Sequence, residues 1–423
     1  VVAVAALSAL VVAPSPSYDP WAWLLWGREL AGGTLSTEEG PAFKPLPVLV
    51  CTPLSVLGAA APTAWVILAR AGAVLAVVLA FRLGRSVAGG LAGVVAAAGV
   101  ALCGGFLAYS AAGAEPGWTI AFALLGLQAW RADRPRAALA CGAACALLRV
   151  EAWPFLLAFG AVLWRRRPQD RPLLAAVAAA VPALWFVPEL LASGDPLRSG
   201  ARARIPNPGA PAEAAVPALA SLREAAALPL WPLWAGAVAA AVLFPAARLL
   251  LAAGLAWIGL VAAMAQAGFS GEPRYALPGA ALVAIAGAAG LAAATLPRGR
   301  PAATLAAAAL LLVAAWPKLA GLDDLRRDRA WAAGLAGDLE DAIAAAGGRR
   351  AVLACGRPYV GDLRGPLLAY HLDVEKRRVA FVPRPPGTVF RSRLQPHDPV
   401  EPPTPAAFAT RAQAGRWEVR STC

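Results

Sequence analysis

Along most of the chain, long apolar runs alternate with short polar junctions. The runs fall at about 1–13, 63–82, 87–108, 117–130, 136–149, 152–164, 172–191, 229–246, 249–267, 275–296 and 302–318. A perpendicular membrane crossing needs about 20 apolar residues, so several of these runs are short and their boundaries soft. The pattern predicts an α-helical polytopic membrane protein with about eleven transmembrane helices. The first run, VVAVAALSALVVA, has no initiator Met. It reads as a spanning helix cut short rather than as a signal-peptide remnant.

Two stretches of the first long junction, 14–62, are apolar without being spans. "KPLPVLVCTPLSVLG" (44–58) is broken by prolines at 45, 47 and 53, and reads as a short helix lying in the interface or dipping in from outside. The stretch 20–31 sets Trp21, Leu24 and Leu25 on one side, with Arg28 and Glu29 farther round, as an in-plane amphipathic helix would. Its tryptophans read as interfacial anchors. From about residue 320 the composition turns soluble. "DDLRRDRAWAAGLAGDLEDAIAAAG" and "DLRGPLLAYHL" read as helices, "RAVLACG", "RRVAFVP" and "RWEVRST" as strands, and the Pro-rich 383–406 as loop. The expected organisation is a membrane domain over 1–319 and a small external α/β domain over 320–423.

Charge then orients the chain. Arg82 with Arg85, "RADRPR" (131–136), "RRRPQDR" (165–171), Arg248 and "PRGRP" (297–301) occupy alternate junctions, which the positive-inside rule makes cytoplasmic. The junctions 14–62, 109–116, 149–151, 192–228 and 268–274 and the tail after Lys318 are therefore external. Only 15% of the residues are charged, against about 25% in soluble domains. The net charge of +13 is spread over these junctions, which excludes a nucleic-acid face. The Ala, Gly and Arg usage points to a GC-rich bacterial genome. Cys51, Cys103, Cys141 and Cys145 read as small packing residues. Cys355 and Cys423 are able to pair if the tail faces an oxidising compartment.

Ionisable groups at membrane depth are costly and commonly functional. Asp19, Glu29, Glu38, Glu39, Lys44, Arg70, Glu115, Arg149, Glu151, Glu272 and Arg274 all fall toward the external face, implying a polar cavity at the outer leaflet. Each also has a plainer reading. Asp19, before Pro20, is a good helix N-cap, which is compatible with catalysis. Glu115 in "AGAEP" is placed to start the 117–130 helix. Arg149 and Glu151 pair with each other or snorkel. Glu38 and Glu39 read as a solvated loop or as a carboxylate pair able to hold a divalent cation. Arg70 fixes helix packing or meets a lipid phosphate. Asp195 in "SGDPLRSG" reads as turn chemistry, in a loop able to cover the acceptor side. The two histidines, His371 and His397, lie in the tail, against a His-based or zinc site in the membrane domain. No P-loop or dinucleotide fingerprint occurs, and no cofactor is expected.

The ordered motifs "YDPWAWLLWGREL", "KPLPVLV", "LARAGAVLAVVLAFRLGR", "YSAAGAEPGWTIAFALLGL", "LLRVEAWPF", "SGDPL" and "EPRYALP" resemble the GT-C-fold glycosyltransferases that use polyprenyl-phosphate sugars. That superfamily includes protein O-mannosyltransferases, aminoarabinose transferases and actinobacterial mannosyl- and arabinosyltransferases. The resemblance spans most of 1–296 in short degenerate motifs, and the tail adds little. It implies that Asp19 is the catalytic base and that Glu115 assists or orients it. Arg274 and Tyr275 would bind the donor phosphate, with Arg149 and Lys44 as further candidates. Glu38, Glu39, Glu151 and Asp195 would be acceptor-side or auxiliary groups. The implied partners are a polyprenyl-phosphate-linked donor, a glycan, lipid or protein acceptor, and membrane lipids. The implied location is the plasma (inner) membrane, with the site on the extracytoplasmic side. Two rival classes are a flippase of lipid-linked sugars, which should place polar groups at the midplane and on both faces, and a membrane scaffold, in which Asp19→Asn would be silent.

Overall fold

The computed structural model describes residues 1–295 and 301–423. The junction 297–301 therefore lies, but for Pro301, outside the described residues. Helix α1 (Val2–Ser8) leads to α2 (Tyr18–Ala31) and α3 (Pro45–Leu54), then to α4 (Ala61–Ala101). This last helix doubles back at Ala88 and Gly89, where Gly89 takes φ +84, a conformation glycine adopts without a Cβ clash. The two arms meet so closely that a Cβ on Gly84 would lie 2.7 Å from the Ala92 carbonyl oxygen. They correspond to the apolar runs 63–82 and 87–108.

After α5 (Phe106–Ala111) come α6 (Pro116–Arg131), α7 (Pro135–Leu148), α8 (Trp153–Arg166) and α9 (Arg171–Ser193). The loop that follows carries α10 (Arg198–Ala203) and α11 (Pro217–Ala226), and α12 (Trp231–Leu243), α13 (Pro245–Gln266) and α14 (Pro273–Thr295) continue the bundle. Many begin with Pro in the first turn, where its missing N–H has no intrahelical partner to lose. Helix α14 is the axis of the bundle. It packs on α4, α12 and α13, and its contact with α12 is built on glycine: a Cβ on Gly290 would fall 1.8 Å from the Gly236 oxygen. Close backbone approach over small residues is how membrane helices gain dispersion contact.

Among the described residues, five helical stretches are long and apolar enough to span a bilayer, six if α11 and α12, bent by 91°, are counted as one. The runs 117–130, 136–149, 152–164 and 229–246 are helical but contain helices of only 16, 14, 14 and 13 residues. Eleven crossings thus stays an expectation of the charge pattern. The alternation behind it has structural support. Arg131 donates to Ser86 Oγ at 3.0 Å, and Arg136 and Arg167 both bind Asp170, bringing three basic junctions to one end. At the other end the Ser17 N–H bonds to the Ala112 oxygen (2.9 Å) and Asn207 to Glu272 (2.7 Å).

Beyond α15 (Pro301–Ala320) and α16 (Leu322–Ala345) lie α17 (Gly348–Ala354), β1 (Arg357–Val360), α18 (Gly365–Leu372), β2 (Gly387–Arg391), β3 (Ala409–Ala414) and β4 (Trp417–Ser421). The sheet order is β1-β2-β4-β3, parallel between β1 and β2 and antiparallel elsewhere. Two strand expectations are corrected. "RAVLACG" is mostly the α17 helix, which is N-capped by Gly347 and begins at Gly348, both at positive φ, and buries Val352. In "RRVAFVP" only Ala380 makes an isolated bridge, to Tyr359. Conversely the Pro-rich stretch contains the strand β2, buried between β1 and β4. Cys355 and Cys423 form a disulfide.

Helix α2 also departs from expectation. Trp21, Trp23 and Trp26 are 5%, 0% and 0% exposed, so they are not interfacial anchors. With Val48 and Cys51 of α3 they share one core with Leu335, Leu339, Leu368, Phe390 and Trp417 of the C-terminal unit. Glu38 bonds to Arg377 (2.7 Å) and Glu39 to Lys376 (2.9 Å), so these carboxylates, exposed as the loop reading expects, also dock the first loop on that unit.

Candidate active site

The site is assembled from helix ends. Ser17, not Asp19, is the N-cap of α2, and Asp19 stands in the first turn. Its carboxylate does not cap; Oδ2 lies 3.1 Å from Arg274 Nη1 and 3.9 Å from Lys44 Nζ. Arg274 is the second residue of α14 and also pairs with Glu272 at 2.7 Å. Lys44 is the extended residue before α3; its ammonium reaches Glu115 Oε1 at 2.5 Å and lies over the Trp23 ring at 5.1 Å. Glu115 occupies the N-cap position of α6 but spends its carboxylate on Lys44 and on Arg149 (3.2 Å), leaving Oε2 without a hydrogen-bond partner among the described residues. Arg149, at the end of α7, grips Glu151 through two hydrogen bonds and stacks 3.8 Å from the Tyr275 ring centroid. Tyr275 Oη in turn accepts a hydrogen bond from Arg274 (3.3 Å).

One continuous network therefore runs from Glu272 through Arg274, Asp19, Lys44, Glu115 and Arg149 to Glu151. Burial alone would push the Glu115 carboxyl up, but Lys44, Arg149 and then Arg274 hold it down at about 2. Burial likewise works against the Arg149 cation, yet Glu151 and Glu115 raise its pKa above the usual arginine value. Buried charges persist only when paired in this way.

Two cavities meet at this network. A polar one of about 380 Å³ is lined by Asp19, Tyr109, Arg202, Glu272, Arg274 and Arg329, among others. An apolar one of about 310 Å³ is walled by Leu148, Trp153, Trp185, Phe186, Val261 and Met264, with Arg149 and Glu151 at its polar edge. Lys44 and Tyr275 border both.

Of the residues singled out from sequence, Asp19, Lys44, Glu115, Arg149, Glu151, Glu272, Arg274 and Tyr275 come together. Glu38 and Glu39 sit at the docking surface, and Asp195 is exposed in a turn where Oδ1 accepts the Leu197 N–H. Arg70 is a packing residue, its guanidinium binding the Val12, Ala13 and Ala111 oxygens. Sequence reasoning missed Glu189, wholly buried and bound by Arg198 at 2.7 and 3.0 Å, with Ser199 at 3.1 Å. The Phe43 N–H bonds to Ser199 Oγ (2.6 Å), so Glu189 ties the 192–228 loop to the loop carrying Lys44. A lone carboxylate inside an apolar run was the available signal. Arg202 and Arg329 had none, each lying in an Arg-rich stretch.

No protein-family model matches the sequence, and no curated protein matches it. Similarity appears in three dimensions. The crystal structure of ArnT from Cupriavidus metallidurans bound to undecaprenyl phosphate superposes with a TM-score of 0.54 at 13% identity, covering 100% of this chain and 96% of that one. Its apo form gives 0.57 at 14% identity, covering 99% and 96%. The apo oligosaccharyltransferase of Archaeoglobus fulgidus gives 0.55 at 16% identity, covering 90% of this chain and 64% of that one. The fold is that of the GT-C membrane glycosyltransferases, with a small C-terminal sheet.

Proposed function

We propose that this protein is a membrane glycosyltransferase that moves a monosaccharide from a polyprenyl-phosphate donor to a cell-envelope glycan, lipid or protein. The site would face the extracytoplasmic side of the plasma membrane. The observation that carries this reading is the seam between the two cavities. An amphiphile with an apolar tail, a phosphate and a sugar fits an apolar chamber, a cationic border and a polar chamber in that order. The tail's first units would lie among Trp153, Trp185 and Phe186. The phosphate would meet Lys44, Arg149, Arg274 and Tyr275, and the sugar would project toward Asp19. The undecaprenyl phosphate held by the similarly folded ArnT supports this donor class.

Asp19 then has a clear chemical role. The acceptor hydroxyl oxygen attacks the anomeric carbon and gives its proton to the carboxylate, as in general-base catalysis. The anomeric C–O bond breaks with inversion, and its electron pair leaves on the polyprenyl phosphate. The cations stabilise that developing charge in a site of low dielectric. Oδ2 is engaged by Arg274, while Oδ1 has no hydrogen-bond partner among the described residues and is the oxygen open to the proton.

Binding of undecaprenyl phosphate to the full chain in nanodiscs tests the donor assignment. A charge-assisted hydrogen bond contributes about 1.5–3 kcal/mol, so Arg149→Gln should weaken binding at least about tenfold. Equal affinity in wild type and variant, or no binding by wild type, would reject it.

A further inference from the structure

The charge pairing in the polar cavity is uneven. Lys44, Arg149 and Arg274 each have a carboxylate within 4 Å. Arg202 and Arg329 line the same cavity, and neither has a carboxylate partner among the described residues. Among the described residues the Arg202 guanidinium donates only to the Ile205 carbonyl oxygen, at 2.8 Å. The Nε of Arg329 is buried with no acceptor among the described residues. Both side chains are half-buried, so their charge is only partly compensated by water, and a guanidinium in that state is stabilised by an anion held in its fork.

Position separates these two from the cations at the seam. Neither lines the apolar cavity. They come from the elements that close the polar cavity from outside the bundle core: α10 in the 192–228 loop, and α16 of the C-terminal unit. Leu363, from the loop after β1, completes that wall.

We infer that Arg202 and Arg329 form a second anion subsite, on the acceptor side of the cavity. The acceptor, on this inference, carries a phosphate or similar oxyanion close to the hydroxyl that is glycosylated. The inference rests on the donor assignment above only for which side is which. It makes the C-terminal unit part of the site, since Arg329 belongs to it.

The test uses the full chain in phosphatidylcholine nanodiscs, saturated with undecaprenyl phosphate and then titrated with inorganic phosphate. Wild type should bind phosphate at this second site. Arg202→Gln and Arg329→Gln should each weaken that binding at least fivefold, while leaving undecaprenyl phosphate affinity within twofold. Arg329→Lys, which keeps the charge, should restore most of the loss, and Arg326→Gln, at an exposed pair with Asp323, should change nothing. Phosphate binding unaffected by either variant would overturn the inference. So would a loss of undecaprenyl phosphate affinity as large as the loss of phosphate affinity. If undecaprenyl phosphate fails to bind but phosphate binding still depends on both arginines, the donor reading falls and the anion subsite stands.

Discussion

Glu115 shows how the site spends its charges. A carboxylate wholly removed from water is tolerable only with counterions, and it has two, Lys44 and Arg149. Its folded pKa of about 2, against 4.5 unperturbed, has a definite sign for stability. The stabilisation is present in full above pH 4.5 and disappears as the pH falls through 2. A depression of that size corresponds to about 3 kcal/mol. At pH 7, Glu115→Gln should therefore melt below wild type, and the gap should narrow steadily as the pH is lowered toward 3. A gap that stays constant over that range would show that the pairing contributes nothing. Much of this network was legible in the sequence, because ionisable residues are rare in an apolar chain and their spacing put them on one face. What was not legible is who pairs with whom. Glu38 and Glu39 looked equally eligible, and only folding reveals that Arg377 and Lys376 claim them.

At the scale of elements, α14 matters most, since its first turn presents Arg274 and Tyr275 while the rest threads the bundle. Its seat against α12 leaves no room at Gly287 and Gly290, whose added Cβ atoms would lie 2.1 and 1.8 Å from the Leu233 and Gly236 oxygens. Overpacking of this kind costs about 1–3 kcal/mol. Gly290→Ala should thus lower the melting temperature clearly. Gly259→Ala on α13, with nothing within 4 Å of the new Cβ, should not lower it. Equal melting temperatures would mean the helices separate without penalty. The helices of the bundle were readable from apolar runs and prolines. The small sheet was not: β2 hides in a Pro-rich stretch and is buried on pairing, while the β-like run "RAVLA" is helical because two glycines turn the chain into α17.

Across the whole molecule, the first loop is held between two bodies. Its outer pairs, such as Glu38 with Arg377, are 46% and 45% exposed, and such pairs contribute about 0–1 kcal/mol each. The larger effect comes from Trp21, Trp23 and Trp26, buried in the core shared with the C-terminal unit, since burying a large apolar side chain contributes about 1.5–3 kcal/mol. That core fixes the helix on which Asp19 stands, so the C-terminal unit reaches the chemistry twice, through α2 and through Arg329.

Everything in the proposed mechanism passes through the Asp19 carboxylate, and replacing one oxygen by an amide removes the base while keeping its shape. The direct measurement is the envelope glycan profile of a deletion strain lacking any redundant enzyme, complemented with wild type or with Asp19→Asn expressed to the same level. The account predicts that a glycosyl modification is lost on deletion, returns with wild type and stays absent with Asp19→Asn. Full restoration by Asp19→Asn, or a profile that deletion leaves unchanged, would contradict it.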